Sequence, residues 1–124
     1  MAFALYHPAH KLYLRAPGVG RDLDGVPHCS ASTVFELISL PGGKQGLRSK
    51  QHNCYVCVHP DGRVTAGSSD PQAWDALEKE TFSNGMCALR SAAFGRYLTL
   101  EPSGRMVCKQ DVSGNWEAWE VQRV

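Results

Sequence analysis

Residues 88–106 read "ALRSAAFGRYLTLEPSGRM" and residues 46–64 read "GLRSKQHNCYVCVHPDGRV". Displaced by 42 positions, the two stretches align without a gap, and the match resumes at "WDALE" (74–78) against "WEAWE" (116–120). A second step of 42 reaches a fainter copy, "ALYHPAHKLYLRAPGVGRD" (4–22), followed by "STVFE" (32–36). Five columns are identical in all three copies: Leu5/Leu47/Leu89, Tyr13/Tyr55/Tyr97, Gly20/Gly62/Gly104, Arg21/Arg63/Arg105 and Glu36/Glu78/Glu120. A fixed period of this kind marks a chain built from one supersecondary unit used repeatedly. Units 1–42, 43–84 and 85–124 take up all 124 residues, so a single domain spanning 1–124 is expected.

Each unit carries strand chemistry. "CALRS" and "RYLTL" are short runs rich in apolar and β-favouring residues, and "AAFG" between them suits a hairpin connection. "EPSG" and "HPDG" are turn sequences, in which Pro presets φ and Gly supplies a permissive backbone. "RMVC" or "RVTA" supplies a third strand, and "WEAWEVQRV" alternates apolar and polar residues as a half-buried fourth. "PQAWDALEKETF" could hold a helical turn, but its alignment with "SGNWEAWEVQRV" favours a strand. About four short strands in each of three units cannot close a propeller, which takes roughly four to eight blades. The expected fold is therefore all-β, a β-trefoil: a six-stranded barrel capped by three hairpins, with few open sheet edges.

The composition is that of an ordinary globular chain, 43% hydrophobic and 20% charged, with a formal net charge of +1. No global field draws it to nucleic acid or a membrane. The N-terminus has no apolar signal region, Ala2 replaces the glycine needed for myristoylation, and no apolar run reaches 18 residues. Five cysteines (29, 54, 57, 87 and 108) with no export signal suggest reduced thiols. The expectation is a cytoplasmic monomer with no membrane anchor.

"HNCYVCVH" (52–59) invites a zinc reading. On a strand, however, alternate side chains leave on opposite faces, which parts Cys54 from Cys57, whereas zinc needs four converging ligands. The equivalent positions, Leu12 and Arg96 or Arg15 and Thr99, call for no metal. Neither metal nor cofactor is expected.

Leu5, Leu47 and Leu89, with Leu14/Ala16, Val56/Val58 and Leu98/Leu100, are the expected barrel core. The column Phe35/Leu77/Trp119 joins them. So does Trp74/Trp116, where the first unit has Ser32, with sugar stacking as the alternative role for these two tryptophans. Arg21, Arg63 and Arg105 recur with Glu36, Glu78 and Glu120, which suggests three equivalent ion pairs inside the units.

The third unit, "ALRSAAFGRYLTLEPSGRMVCKQDVSGNWEAWEV", resembles the fascin-like β-trefoil repeat, with its "LRS" or "LKS" strand, "GKYL", glycine turn and closing "W-E-x-F" strand. The second unit has "NCY" for "GRY" and Leu77 at a usually aromatic position. The first keeps Tyr13-Leu14, Gly20-Arg21 and Phe35-Glu36. A free-standing copy is similar to hisactophilin, a small trefoil that binds actin, but lacks that protein's histidine-rich surface. The resemblance implies a non-enzymatic module that binds or bundles actin filaments. An acidic filament requires a basic face, and "GGKQGLRSKQ" (42–51) supplies Lys44, Arg48 and Lys50, with Arg90 and Arg96 in the next unit.

The alternative is a carbohydrate-binding lectin of the trefoil type, with His52, Asn53 and Asp61 as its polar site. "QAW" (72–74) matches the Q-x-W signature of ricin-type repeats, although the equivalents "SAS" and "GNW" do not repeat it. An enzyme is not expected, because no nucleophile elbow, metal-ligand pattern or phosphate-cradling glycine motif occurs. "PGVGRDLDGVPHCSAS" (17–32), with His28 and Cys29, departs most from the repeat and is expected to be a flexible polar loop.

Overall fold

The computed structural model describes residues 2–70, 72–82, 84–110 and 114–124. Thirteen strands follow one another: β1 (Ala2–His7), β2 (Leu12–Arg15), β3 (Arg21–Asp22), β4 (Asp24–Val26), β5 (Phe35–Ser39), β6 (Gln45–Ser49), β7 (Cys54–Val58), β8 (Val64–Ser68), β9 (Leu77–Thr81), β10 (Cys87–Ser91), β11 (Tyr97–Leu100), β12 (Met106–Gln110) and β13 (Glu120–Arg123). The only helical pieces among the described residues are 3₁₀ turns, three of which recur in register at Ala31–Thr33, Ala73–Asp75 and Asn115–Glu117. Every unit thus runs strand, two-stranded hairpin, 3₁₀ turn, strand. In the first unit the third strand is split by Leu23 into β3 and β4.

The first and last strands of the units form a closed ring. β1 pairs with β13 and β5, β5 with β6, β6 with β9, and β9 with β10, and a bridge between Cys87 and Trp119 closes the circuit. The hairpins β2–β4, β7–β8 and β11–β12 cap one end, and they touch one another through Arg21–Ala66, Arg63–Val107 and Asp24–Arg105. This is the β-trefoil that the period predicts. The first hairpin of each unit turns through a residue with positive φ: Lys11 at 57°, Asn53 at 56° and Gly95 at 68°. Glycine is the unstrained choice at such a position and asparagine the next best, so "NCY" in place of "GRY" preserves the turn.

The expected core is in place. Leu5, Leu47, Leu89, Leu14, Ala16, Val56, Val58, Leu98 and Leu100 are all buried, and Phe35, Leu77 and Trp119 form a fully buried layer. Residues 54–58 are a strand, and Cys54 packs in the core while Cys57 lies on the other side, half-buried.

Two expectations fail. Trp74 and Trp116 are 41% and 44% exposed rather than core. Both sit on the 3₁₀ turn outside the barrel, and each leans on the first hairpin of the following unit: Trp74 on Phe94 (5.9 Å) and Trp116 on His10 (5.1 Å). The column is a clasp between units. The Arg–Glu columns do not pair within units either. Strand register sets each glutamate opposite the "LRS" arginine of the next unit, giving Glu36–Arg48 at 2.9 Å and Glu78–Arg90 at 2.6 Å. Glu120 faces Tyr6 in that column and accepts instead from Gln122. Arg63 pairs with Asp22 at 3.2 Å, while Arg21 and Arg105 have no ion pair among the described residues. The divergent stretch 17–32 is also more ordered than its composition suggests, since it holds β3, β4 and part of a 3₁₀ turn, with His28 and Cys29 exposed.

Candidate functional site

The second unit carries an open cleft of about 590 Å³ between its cap hairpin, its 3₁₀ turn and the Gly20 turn of the first unit. β7 brings Cys57 and, just past its end, His59; β8 brings Thr65 and Gly67; the 3₁₀ turn brings Gln72, Trp74 and Asp75. The size and the mix of apolar wall with a few convergent polar groups suit a small-molecule site.

Trp74 forms one wall, its ring edge-on to His59 at 5.9 Å. His59 Nε2 lies 2.8 Å from Thr65 Oγ1, which fixes the imidazole. Arg63, at the rim, donates to Asp22. Asp75 is fully buried: its Oδ2 accepts the Gln72 backbone N–H at 2.9 Å, its carboxylate also interacts with the Cys57 thiol, and Oδ1 is shut off from solvent with no further hydrogen-bond partner among the described residues. Burial raises the Asp75 pKa above the ordinary carboxylate value. The Cys57 thiol is pushed up to about 11, first by burial and then by the Asp75 carboxylate, so it is not a nucleophile.

The other two units differ at this place. In the third, Lys109 occupies the column of Gly67 and its stem lies over Gly62, where a Cβ would meet Lys109 Cγ at 2.6 Å. There Glu117 replaces Asp75, and both its oxygens are used: Oε1 accepts the Gly114 N–H and Oε2 the Thr99 hydroxyl, each at 2.7 Å. In the first unit the corresponding hairpin is bridged by the bidentate Arg15–Asp24 pair, Leu12 and Leu100 crowd Gly25, and the open cavity of about 640 Å³ beside Arg15, Pro17 and Arg21 is mostly polar and has no aromatic wall. The second unit alone combines Gly67 with the facing Gly20, whose Cα lies 3.8 Å from where a Gly67 Cβ would be.

The five expected basic residues do not form one free patch. Of Lys44, Arg48 and Lys50, Arg48 lies within β6, Lys44 just precedes it and Lys50 just follows it. Lys44 and Arg90 both bind Glu78, at 3.1 and 2.6 Å, and Arg48 binds Glu36, which leaves Lys50 without an ion pair among the described residues. Lys44 and Arg90 depress the Glu78 pKa, and Arg48 that of Glu36. Arg96 stands apart, donating to the Pro60 carbonyl at 3.4 Å. The residues expected for a sugar site are separated. His52 and Asn53 lie before β7 and Asp61 beyond its far end, where it accepts the Arg63 N–H. Five strand residues at about 3.3 Å each put them roughly 16 Å apart.

Sequence reasoning missed the cleft as a site. Gln72 and Trp74 of the "QAW" triplet both line it, but its openness depends on Gly67, a residue that reads as an unremarkable strand position. No group of His, Cys, Asp and Glu among the described residues is arranged to hold a metal ion, and no helix among them is long and apolar enough to cross a membrane.

The family model for the fascin domain matches residues 13–121. Of the solved structures, the crystal structure of ThreeFoil, a designed 3-fold symmetric protein, superposes with a TM-score of 0.88 at 14% sequence identity, covering 99% of each chain. At that identity the likeness establishes the fold and names no ligand. No curated protein sequence matches the chain.

Proposed function

Since the chain belongs to the fascin-domain family, we propose that it is a non-enzymatic binding module whose partner is the actin filament. The observation that carries this reading is the run of Lys44, Arg48 and Lys50 in and beside β6, extended by Arg90 through the shared Glu78, with Lys50 also acting on Glu36. Four cations face two carboxylates there, so the strip keeps a net positive charge. Ion pairs exposed to this degree are weak, and an acidic filament surface can compete with Glu36 and Glu78 for the same cations. Binding of this kind is steered by charge and weakens with salt. The companion lectin reading, with His52, Asn53 and Asp61, has no common site to support it.

Co-sedimentation with filaments tests the reading at low and at physiological salt. The expected result is salt-sensitive pelleting that is lost in the double variant Lys44→Gln/Lys50→Gln, which removes charge without placing new acids beside Glu78 or Glu36. No pelleting at either salt, or pelleting unchanged in the variant, would overturn it.

A further inference from the structure

We propose that the cleft of the second unit is a binding site for a neutral saccharide, which stacks on Trp74 and hydrogen-bonds through its hydroxyls to the polar wall of His59 and Thr65. This goes beyond the filament reading and does not depend on it, because the cleft and the β6 cation row share no residue.

Three observations lead to that ligand class. First, Trp74 keeps 41% of its surface exposed at the wall of a cleft large enough for a one- or two-ring ligand. The negative face of an indole attracts weakly positive C–H groups, which the apolar side of a pyranose presents as a flat set. Second, the cleft is open in this unit because Gly67 faces Gly20, whereas in the third unit Lys109 stands in the Gly67 column and its stem covers Gly62. Third, His59 and Thr65 form a fixed polar wall beside the indole, at a distance suited to further hydroxyls.

Other ligand classes fit less well. The buried Asp75 carboxyl opposes an anion, and Arg63, the nearby cation, is already bound to Asp22. An extended peptide would need an open strand edge, but β8 is paired on both sides, with β7 and β3. A flat aromatic ligand could stack on Trp74 but would gain nothing from the polar wall of His59 and Thr65.

The test is an array of mono- to tetrasaccharides probed with the whole chain, followed by titration of any hit with detection by ¹H–¹⁵N correlation spectra. The expected result is that at least one neutral saccharide binds and moves the indole N–H of Trp74 and the amides of Gly67 and Asp75, while the indole of Trp116 stays still. Gly67→Lys, which imitates Lys109, should weaken that binding at least about tenfold, with unchanged Tm and unchanged filament pelleting. Trp74→Ala should do the same by removing the stacking wall. The proposal is overturned if no saccharide on the array binds, if the shifts map away from the second unit, if both variants bind as the parent does, or if flat aromatic probes occupy the cleft and saccharides do not.

Discussion

The second and third units have the same backbone plan, with hairpin, 3₁₀ turn and exposed tryptophan in register, yet one is open and the other is filled. The difference lies in three columns. Gly67 stands where Lys109 covers Gly62, Cys57 where Thr99 offers a hydroxyl, and Asp75 where the longer Glu117 reaches both its partners. In the third unit every polar atom of the turn's carboxylate is satisfied, and the space above it is occupied. In the second, one oxygen is left over and the space is empty. A symmetric scaffold thus separates stability from binding by side-chain choice alone, keeping the barrel common and varying the clefts.

If the contrast is confined to the clefts, the shared barrel layer must respond alike in both units, and this is the largest effect expected. Trp119→Ala should cost about 3–5 kcal/mol and Leu77→Ala about 2–5 kcal/mol in urea unfolding, since both side chains are fully buried in one layer. A far smaller loss for Leu77 would mean that the second unit is loose throughout rather than open at one place. Next in size is the turn carboxylate. Glu117→Ala removes the partner of the buried Thr99 hydroxyl and of the Gly114 N–H, a loss of about 1–3 kcal/mol. Asp75→Asn should change neutral-pH stability much less. Because burial raises the Asp75 pKa, its ionised form costs the fold energy at neutral pH. The parent should therefore gain stability from this group as pH falls from above the raised pKa toward the ordinary 3.8, and Asp75→Asn should not. Equal losses for the two variants would remove the distinction between a satisfied and a stranded carboxylate.

The barrel was legible in the sequence and the cleft was not, for a physical reason. Leu5, Leu47 and Leu89, or the glycine turns, act within one unit, so a repeated pattern reports them directly. The clasp of Trp74 on Phe94, the pairing of Glu78 with Arg90 and the cover of Gly62 by Lys109 all join one unit to the next. Such contacts depend on strand register and on how the hairpins abut. Identical columns therefore suggested the wrong arginine for each glutamate, and an aromatic column suggested core where the chain builds a clasp. The signal that could have found the cleft was the variable column Gly25/Gly67/Lys109, but only with the facing glycine turn already known.

The corresponding clasp at the third unit offers a smaller, pH-dependent contrast. Trp116 leans on His10, which stacks on the buried His7 at 4.9 Å, and His7 Nε2 lies 2.8 Å from the Trp116 carbonyl. The other units place Ser49 and Ser91 in the His7 column, and Trp74 leans on Phe94 and meets the His59 ring edge-on. Burial lowers the His7 pKa, helped by His10 and opposed by the Trp116 carbonyl and Glu117. A histidine kept neutral by the fold takes up its proton more readily when unfolded. Stability should therefore fall as pH drops below the ordinary 6.5 and level off once His7 itself is protonated. Thermal melts between neutral and mildly acidic pH should show Tm decreasing by a few degrees. His7→Ser should flatten the profile. An unchanged slope in His7→Ser would place the acid sensitivity elsewhere.

The smallest effect on stability bears most directly on the comparison. Lys109→Gly should uncover Gly62 and open the third unit while costing only about 0.5–1 kcal/mol, the entropic cost of glycine inside a strand, since the side chain it removes is exposed and has no ion pair among the described residues. If openness were all that distinguishes the second cleft, the variant would acquire a second saccharide site, visible as movement of the Trp116 indole in the same titration. The expected outcome is that it does not. The third unit has Glu101 in the column of His59 and Val107 in that of Thr65, so the new cleft would lack the polar wall that a ligand hydroxyl meets in the second unit. Adding Glu101→His and Val107→Thr to Lys109→Gly would recreate that wall, and binding should appear only in the triple variant. Saccharide binding by Lys109→Gly alone would show that the aromatic wall suffices and that His59 and Thr65 contribute little.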